Sequence, residues 1–193
     1  MKKLNVHTIF ISKQAEISEK YKEFLEIVDN NNISVKFVKL GDKIKFDKDI
    51  FFEILWPSEK LIAENALNNN AIVGKLSYNN FSCLFTGDIE EIAEKEITNM
   101  YEKTNKLNST ILKVAHHGSK SSSTQEFLNK VNPKVALIGV GQNNKFGHPN
   151  CEVIERLNKM KCTIYRTDEM GEITIRINEK RRIRINVKIE KDI

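Results

Sequence analysis

Cysteine, proline and long apolar runs are all scarce in this chain. Its three cysteines, Cys83, Cys151 and Cys162, lie far apart and form no Cys-x-x-Cys pair, which argues against a disulfide framework and a thiolate zinc site and leaves buried, reduced thiols. Lys, Asp, Glu and Asn interrupt every hydrophobic run, so no window approaches the roughly 18 apolar residues of a membrane helix, and this stretch itself makes no membrane contact. Met1-Lys2-Lys3 carries the charge of a secretory leader, but Leu4 to Ile11 is too short and polar to be its apolar region, and no small-residue cleavage site follows. There is no internal repeat and no Gly/Ser- or Pro-rich linker, so residues 1–193 read as a single domain. At 40% hydrophobic and 30% charged residues, the chain has material for a core and is too apolar to be disordered.

Several catalytic signatures are also missing. No Walker loop occurs. Gly139-Val140-Gly141 follows an apolar run, but Asn144 stands where a dinucleotide fingerprint needs its third glycine. Ser119 adjoins two histidines without the Gly-x-Ser-x-Gly elbow, and neighbours at one strand end do not make a triad.

What is present begins with charge. The formal net charge is +5, and from Arg176 to Ile193 there are seven basic residues against three acidic ones. Residues 178–193 therefore form a basic C-terminal strand or tail. Two readings stand open: Arg181, Arg182 and Arg184 collect nucleic-acid phosphates, or they line the solvated face of a strand.

Hydrophobic periodicity predicts a strand over Val6 to Ile11 and a helix over Ser18 to Asn30, with Tyr21, Phe24, Leu25 and Val28 on one stripe. Alternation over Ile33 to Lys39 predicts another strand, and Gly41-Asp42 a turn before a strand pair ending at Pro57. Asn65 to Asn70 reads as a polar loop. Ala71 to Tyr78 and Phe81 to Phe85 flank Asn79-Asn80 as a hairpin. From there strands and helices alternate: a helix over Ile89 to Tyr101, a strand over Thr110 to Ala115, a short helix before Pro133, a strand over Lys134 to Val140, a helix from Pro149 to Lys161 and strands over Cys162 to Arg166 and Glu172 to Ile177. This order predicts an α/β layered fold with mixed or antiparallel sheet pieces at both ends.

Six of the eight glycines, at 87, 118, 139, 141, 147 and 171, and three of the four histidines, His116, His117 and His148, fall from residue 87 onward at predicted strand ends. Asp88 follows the strand that ends at Phe85, and His116 and His117 follow another. A carboxylate and imidazoles at neighbouring strand ends are oxygen and nitrogen donors for Zn²⁺, Mn²⁺ or Fe. The blander alternative makes Asp88 the cap of the helix beginning at Ile89. His7, in a strand with no partner nearby, is structural.

The segments Asn70-Ala71-Ile72-Val73, Leu84-Phe85-Thr86-Gly87-Asp88, Leu112-Lys113-Val114-Ala115-His116-His117-Gly118-Ser119, Phe146-Gly147-His148-Pro149 and Tyr165-Arg166-Thr167-Asp168 together resemble the C-terminal part of the metallo-β-lactamase-like domain of the ComEC competence family. The resemblance covers about residues 6 to 177. It implies a partial αββα sandwich lacking its N-terminal strands, a divalent metal such as Zn or Mn, and a hydrolase of phosphodiesterase or nuclease type linked to DNA uptake. It also implies DNA as partner and a parent compatible with an integral membrane protein carrying this domain outside the cytoplasm. By resemblance Asp88 is the bridging carboxylate, one of His116 and His117 a metal ligand, and His148 and Ser119 substrate-orienting residues. The superfamily's His-x-His-x-Asp-His motif is absent. The expectation is therefore a chain inactive alone, completed by an N-terminal segment or a homodimer partner. The alternative is a degenerate, metal-free module that binds nucleic acid or a partner through its basic tail.

Overall fold

The computed structural model describes residues 5–13, 19–178 and 183–188. A first unit comprises β1 (Thr8–Ser12), α1 (Glu19–Asn30) and β2 (Ser34–Val38), whose strands pair in parallel. Of the α1 stripe predicted from sequence only Val28 is buried, while Leu25 and Ile27 stay exposed. The second unit is a seven-stranded mixed sheet in chain order: β3 (Lys43–Asp47), β4 (Ile50–Trp56), β5 (Val73–Tyr78), β6 (Phe81–Phe85), β7 (Ile111–Lys113), β8 (Val135–Ile138) and β9 (Thr163–Arg166). β3 to β6 are antiparallel and β6 to β9 parallel. In the antiparallel half β3–β4 and β5–β6 are joined by tight turns, with Asn79 at φ 52° supplying the left-handed residue of the Asn79-Asn80 hairpin, while β4 reaches β5 through residues 57–72. The parallel half needs crossovers, supplied by α3 (Glu91–Met100), α4 (Gln125–Val131) and α5 (Cys151–Lys159).

The side-chain period of two sorts the parallel strands into rows. Leu84, Leu112, Ala136 and Ile164 are in register across β6 to β9, and the first three are fully buried against Ile97, Phe127 and Val153 of the three helices. The opposite row carries Phe85, Lys113 and Leu137, and Phe85 is part-exposed beside Phe52. This is one helix-covered β layer of the expected sandwich, with a second sheet face bearing aromatics.

Two expectations change. Asn65 to Asn70 is not an open loop: α2 (Ala66–Asn69) forms there, because Trp56 Nε1 donates to Asn69 O at 2.7 Å and the Asn70 amide bonds Ile62 and Ala66 carbonyls, so the asparagines serve as internal backbone caps. The turn at Thr167 to Gly171 contains a short helix, α6 (Thr167–Met170). Beyond it β10 (Glu172–Ile177) and β11 (Ile183–Lys188) form an antiparallel hairpin, so the basic tail is a strand over 183–188. Its ladder pairs Ile173 with Val187, Ile175 with Ile185 and Ile177 with Ile183, and the alternate positions place Arg176 opposite Arg184 on an exposed face. Arg181 and Arg182 lie outside the described residues.

Candidate functional site

Parallel strands in register bring their carboxyl ends to one rim, so the loops after β6, β7 and β8 meet there. Thr86-Gly87-Asp88 leaves β6 with Thr86 buried and its Oγ1 donating to Lys113 O at 2.6 Å. Gly87, at φ +53°, is required by space as well as conformation: a Cβ there would stand 2.9 Å from the Ala71 Cβ. Its carbonyl accepts from His116 N, which locks the first loop to the second.

β7 ends at Lys113, earlier than the alternation predicts, and a 3₁₀ turn takes over from Ala115 to Gly118. His116 and His117 are both left-handed, at φ 45° and 55°, which costs about 1–2 kcal/mol per residue for side chains with a Cβ. Two strained, successive imidazoles point to selection for where the rings go. Gly118 is fixed too, because at φ +82° a Cβ would come within 2.7 Å of the Pro149 Cβ.

The strain aims the rings differently. His117 Nδ1 lies 2.6 Å from Gly139 O, so it donates its proton there and Nε2 turns its lone pair toward Asp88 Oδ1, 3.8 Å away. A lone pair facing a carboxylate is repulsive unless a cation, proton or metal stands between them. The separation is within the span of two donors flanking one ion at about 2.0–2.2 Å each. His116 Nδ1 is buried, 3.3 Å from Glu90 Oε1 but without hydrogen-bond geometry. Its ring meets that of His148 edge-on at 5.8 Å. Burial, then the neighbouring His116 and His117, pull the His148 pKa below the ordinary imidazole value. Asp88, His116, His117 and His148 thus gather at one rim. Among the described residues no group of three or more His, Cys, Asp and Glu is arranged to hold an ion; Asp88 and His117 offer two donors at a spacing one ion would span.

Ser119 is buried, with its Oγ 3.0 Å from Ser121 Oγ; Ser121 Oγ in turn donates to Glu90 Oε1 at 3.0 Å. Its hydroxyl is engaged inside the loop rather than offered at the rim.

No protein-family model matches the chain. It is 31% identical over 180 residues to ComE operon protein 3 of Bacillus subtilis, covering 93% of this chain and 22% of that protein. It is 30% identical over 132 residues to Recombination protein 2 of Haemophilus influenzae, covering 68% of this chain and 16% of that protein. Over the matched stretch this chain belongs to the ComEC competence family. It spans about a fifth or less of the length of these relatives. Among solved structures it is similar to a protein described as a metal-dependent hydrolase from Parabacteroides distasonis, at 13% identity and a TM-score of 0.47, with 82% of this chain and 76% of that chain covered.

In this ComEC-type chain three contributors were missed from sequence. Glu90, not Asp88, is the N-cap of α3, and it accepts from Asn65 Nδ2 at 2.8 Å as well as from Ser121, which leaves Asp88 free at the rim. Lys113 shares the sheet row of Phe85 and sits close enough to Asp88 to feel its charge; burial, the larger effect, still lowers its pKa. Phe146 stacks on His148. The period-two alternation of Leu112-Lys113-Val114 was a signal for Lys113, whereas Glu90 and Phe146 had none in their own spacing.

Proposed function

We propose that this chain supplies one half of a divalent-metal site, for Zn²⁺ or Mn²⁺, that hydrolyses phosphodiester bonds in a longer ComEC-type protein linked to DNA uptake. Support comes from one observation above the rest: His117 Nε2 faces Asp88 Oδ1 while its Nδ1 is held by Gly139 O. Asp88 and His117 are the ligands in this reading, with His117 preferred over His116 because it is the His117 Nε2 that stands against Asp88 Oδ1. The metal, when bound, supplies hydroxide and neutralises phosphate charge. His148, its pKa depressed, stays neutral near pH 7 and orients a phosphate oxygen, while Ser119 positions the turn from within. The remaining ligands come from polypeptide outside this sequence or from a second copy, which also covers the Phe52–Phe85 sheet face. The parent in this reading is an integral membrane protein with the domain outside the cytoplasm; among the described residues no helix is long and apolar enough to cross a membrane.

Calorimetric titration of Mn²⁺ or Zn²⁺ into the purified chain tests the ligand assignment. Weak binding is expected, lost in both Asp88→Ala and His117→Ala; undiminished binding in either variant refutes it. The chain alone is expected not to turn over single-stranded DNA or a bis-aryl phosphate, and robust turnover abolished by Asp88→Ala would show that its own residues complete the site.

A second reading is supported by the hairpin, where Arg176 and Arg184 stand directly opposite each other on an exposed face. Like charges across a ladder repel, and an anion relieves them. Here the chain holds nucleic acid without metal. Its mark is salt-dependent DNA binding that survives chelator and drops when Arg181, Arg182 and Arg184 are neutralised together; binding indifferent to salt would exclude it.

A further inference from the structure

Phe146 is 82% exposed, an unusual position for a phenyl ring, and it lies on the rim beside the histidines. The ring is not loose on the loop. It stacks on the His148 imidazole with centroids 5.9 Å apart and planes 19° from parallel. His148 is pinned in turn, since its backbone N–H donates to Asn144 Oδ1 at 2.9 Å and its carbonyl accepts from Asn144 Nδ2 at 2.7 Å. Asn150 N, two residues on, donates to Gly118 O, which ties this loop to the strained histidine turn. One face of Phe146 therefore rests on the imidazole of a residue whose backbone is held, and the other meets water. The packed aromatic row runs Phe146, His148, His116 toward the Asp88–His117 pair.

A flat apolar surface of that size, open on one side and backed by a second ring, matches a planar aromatic group better than an aliphatic one. Exposed Lys120 and Lys145 on the adjoining loops add positive charge for phosphate. We infer that Phe146 is a stacking platform for an unpaired nucleobase and so selects single-stranded nucleic acid for this site, setting the adjacent phosphodiester over the rim. The inference rests on the proposed phosphodiester function for its catalytic meaning, but stacking itself needs no metal. Bases within a duplex are already stacked on one another and cannot reach the platform without being extruded.

Fluorescence reports the contact directly. Phe146→Trp places an indole at the platform, while the chain's Trp56 is buried and shielded from solutes. Titration is done with oligothymidylate and with an abasic oligomer of the same length, both with chelator present. Oligothymidylate is expected to quench the new indole, and Phe146→Ala to weaken oligothymidylate binding about tenfold while leaving abasic binding unchanged. Phe146→Leu, which keeps an apolar side chain but loses the ring, is expected to behave like alanine. Equal affinity for the two oligomers, equal affinity of wild type and Phe146→Ala, or no binding at all overturns the platform. Because chelator is present throughout, these outcomes are independent of the metal-titration result: loss of metal binding in Asp88→Ala with base-dependent binding intact upholds both readings, and failure of either leaves the other's test unaffected.

Discussion

Glu94→Ala is expected to lower folding stability by about 2–4 kcal/mol in urea melts, with the histidine turn loosened as a consequence. Glu94 lies on α3 and is fully buried, and its carboxylate accepts the backbone N–H groups of Ser123 and Thr124 at the start of α4, the second at 2.7 Å. Alanine leaves both donors without a partner in a dry interior and opens a void between two helices. The same segment holds Ser121, which bonds Glu90, and Ser122, which bonds the Ala115 carbonyl beneath His116. Freed from its anchor, that segment no longer braces the turn.

The same group makes stability depend on pH, with a definite sign. Burial is the largest influence on the Glu94 carboxyl and pushes it up to about 7 from 4.5, against the pull of the two N–H groups and Arg156. The folded chain therefore holds this proton more tightly than the unfolded chain. Its contribution is complete below about pH 4.5, where both states are protonated, and is lost as pH rises through about 7. A shift of that size corresponds to roughly 3 kcal/mol between the two limits. Urea melts at about pH 5 and about pH 8.5 should show it, and Glu94→Gln should remove that part of the slope; an unchanged slope would mean the carboxyl ionises without cost.

The second large effect follows from the proposed function. In a ComEC-type protein carrying this segment, His117→Ala and Asp88→Ala are each expected to reduce metal-dependent phosphodiester hydrolysis by about 10³-fold. His117→Ala removes the nitrogen that faces Asp88 across 3.8 Å, and Asp88→Ala removes the carboxylate that would share the ion. His116→Ala is expected to cost less, because it is His117 whose Nε2 stands against Asp88. Single-turnover hydrolysis at saturating Mn²⁺ distinguishes the three. Equal losses for His116 and His117 would mean that both imidazoles act on the metal.

The parallel half of the sheet was legible in the sequence, because each apolar strand there ends in glycine-rich grammar and is followed by a helix with its own caps. Thr124 and Asn150, for instance, accept from backbone N–H groups at the starts of α4 and α5. That Asp88, His116 and His117 come to neighbouring strand ends also followed from strand order, whereas His148 was brought to them only by the family resemblance. What could not be read was how each imidazole turns. Two adjacent residues on an extended strand point to opposite faces, whereas His116 and His117 leave the strand in left-handed conformations that no propensity favours. Their roles are decided by Glu90 and by the Gly139 carbonyl, both distant in sequence. The asparagine run was misjudged for a related reason, since its side chains bond the backbone of their own neighbourhood and so build the structure they usually interrupt. The tail's arginines were ambiguous because charge alone does not say whether a strand has a pairing partner; the isoleucine ladder of β10 and β11 provides one.

β6 pairs antiparallel with β5 on one side and parallel with β7 on the other, and it runs from the Asn79-Asn80 tip toward Asp88. Site and turn are thereby separated along one short strand: the rim bearing Asp88 lies at its far end, about 17 Å from the hairpin tip over five residues. That tip can be lengthened, shortened or recharged without disturbing the Asp88 end.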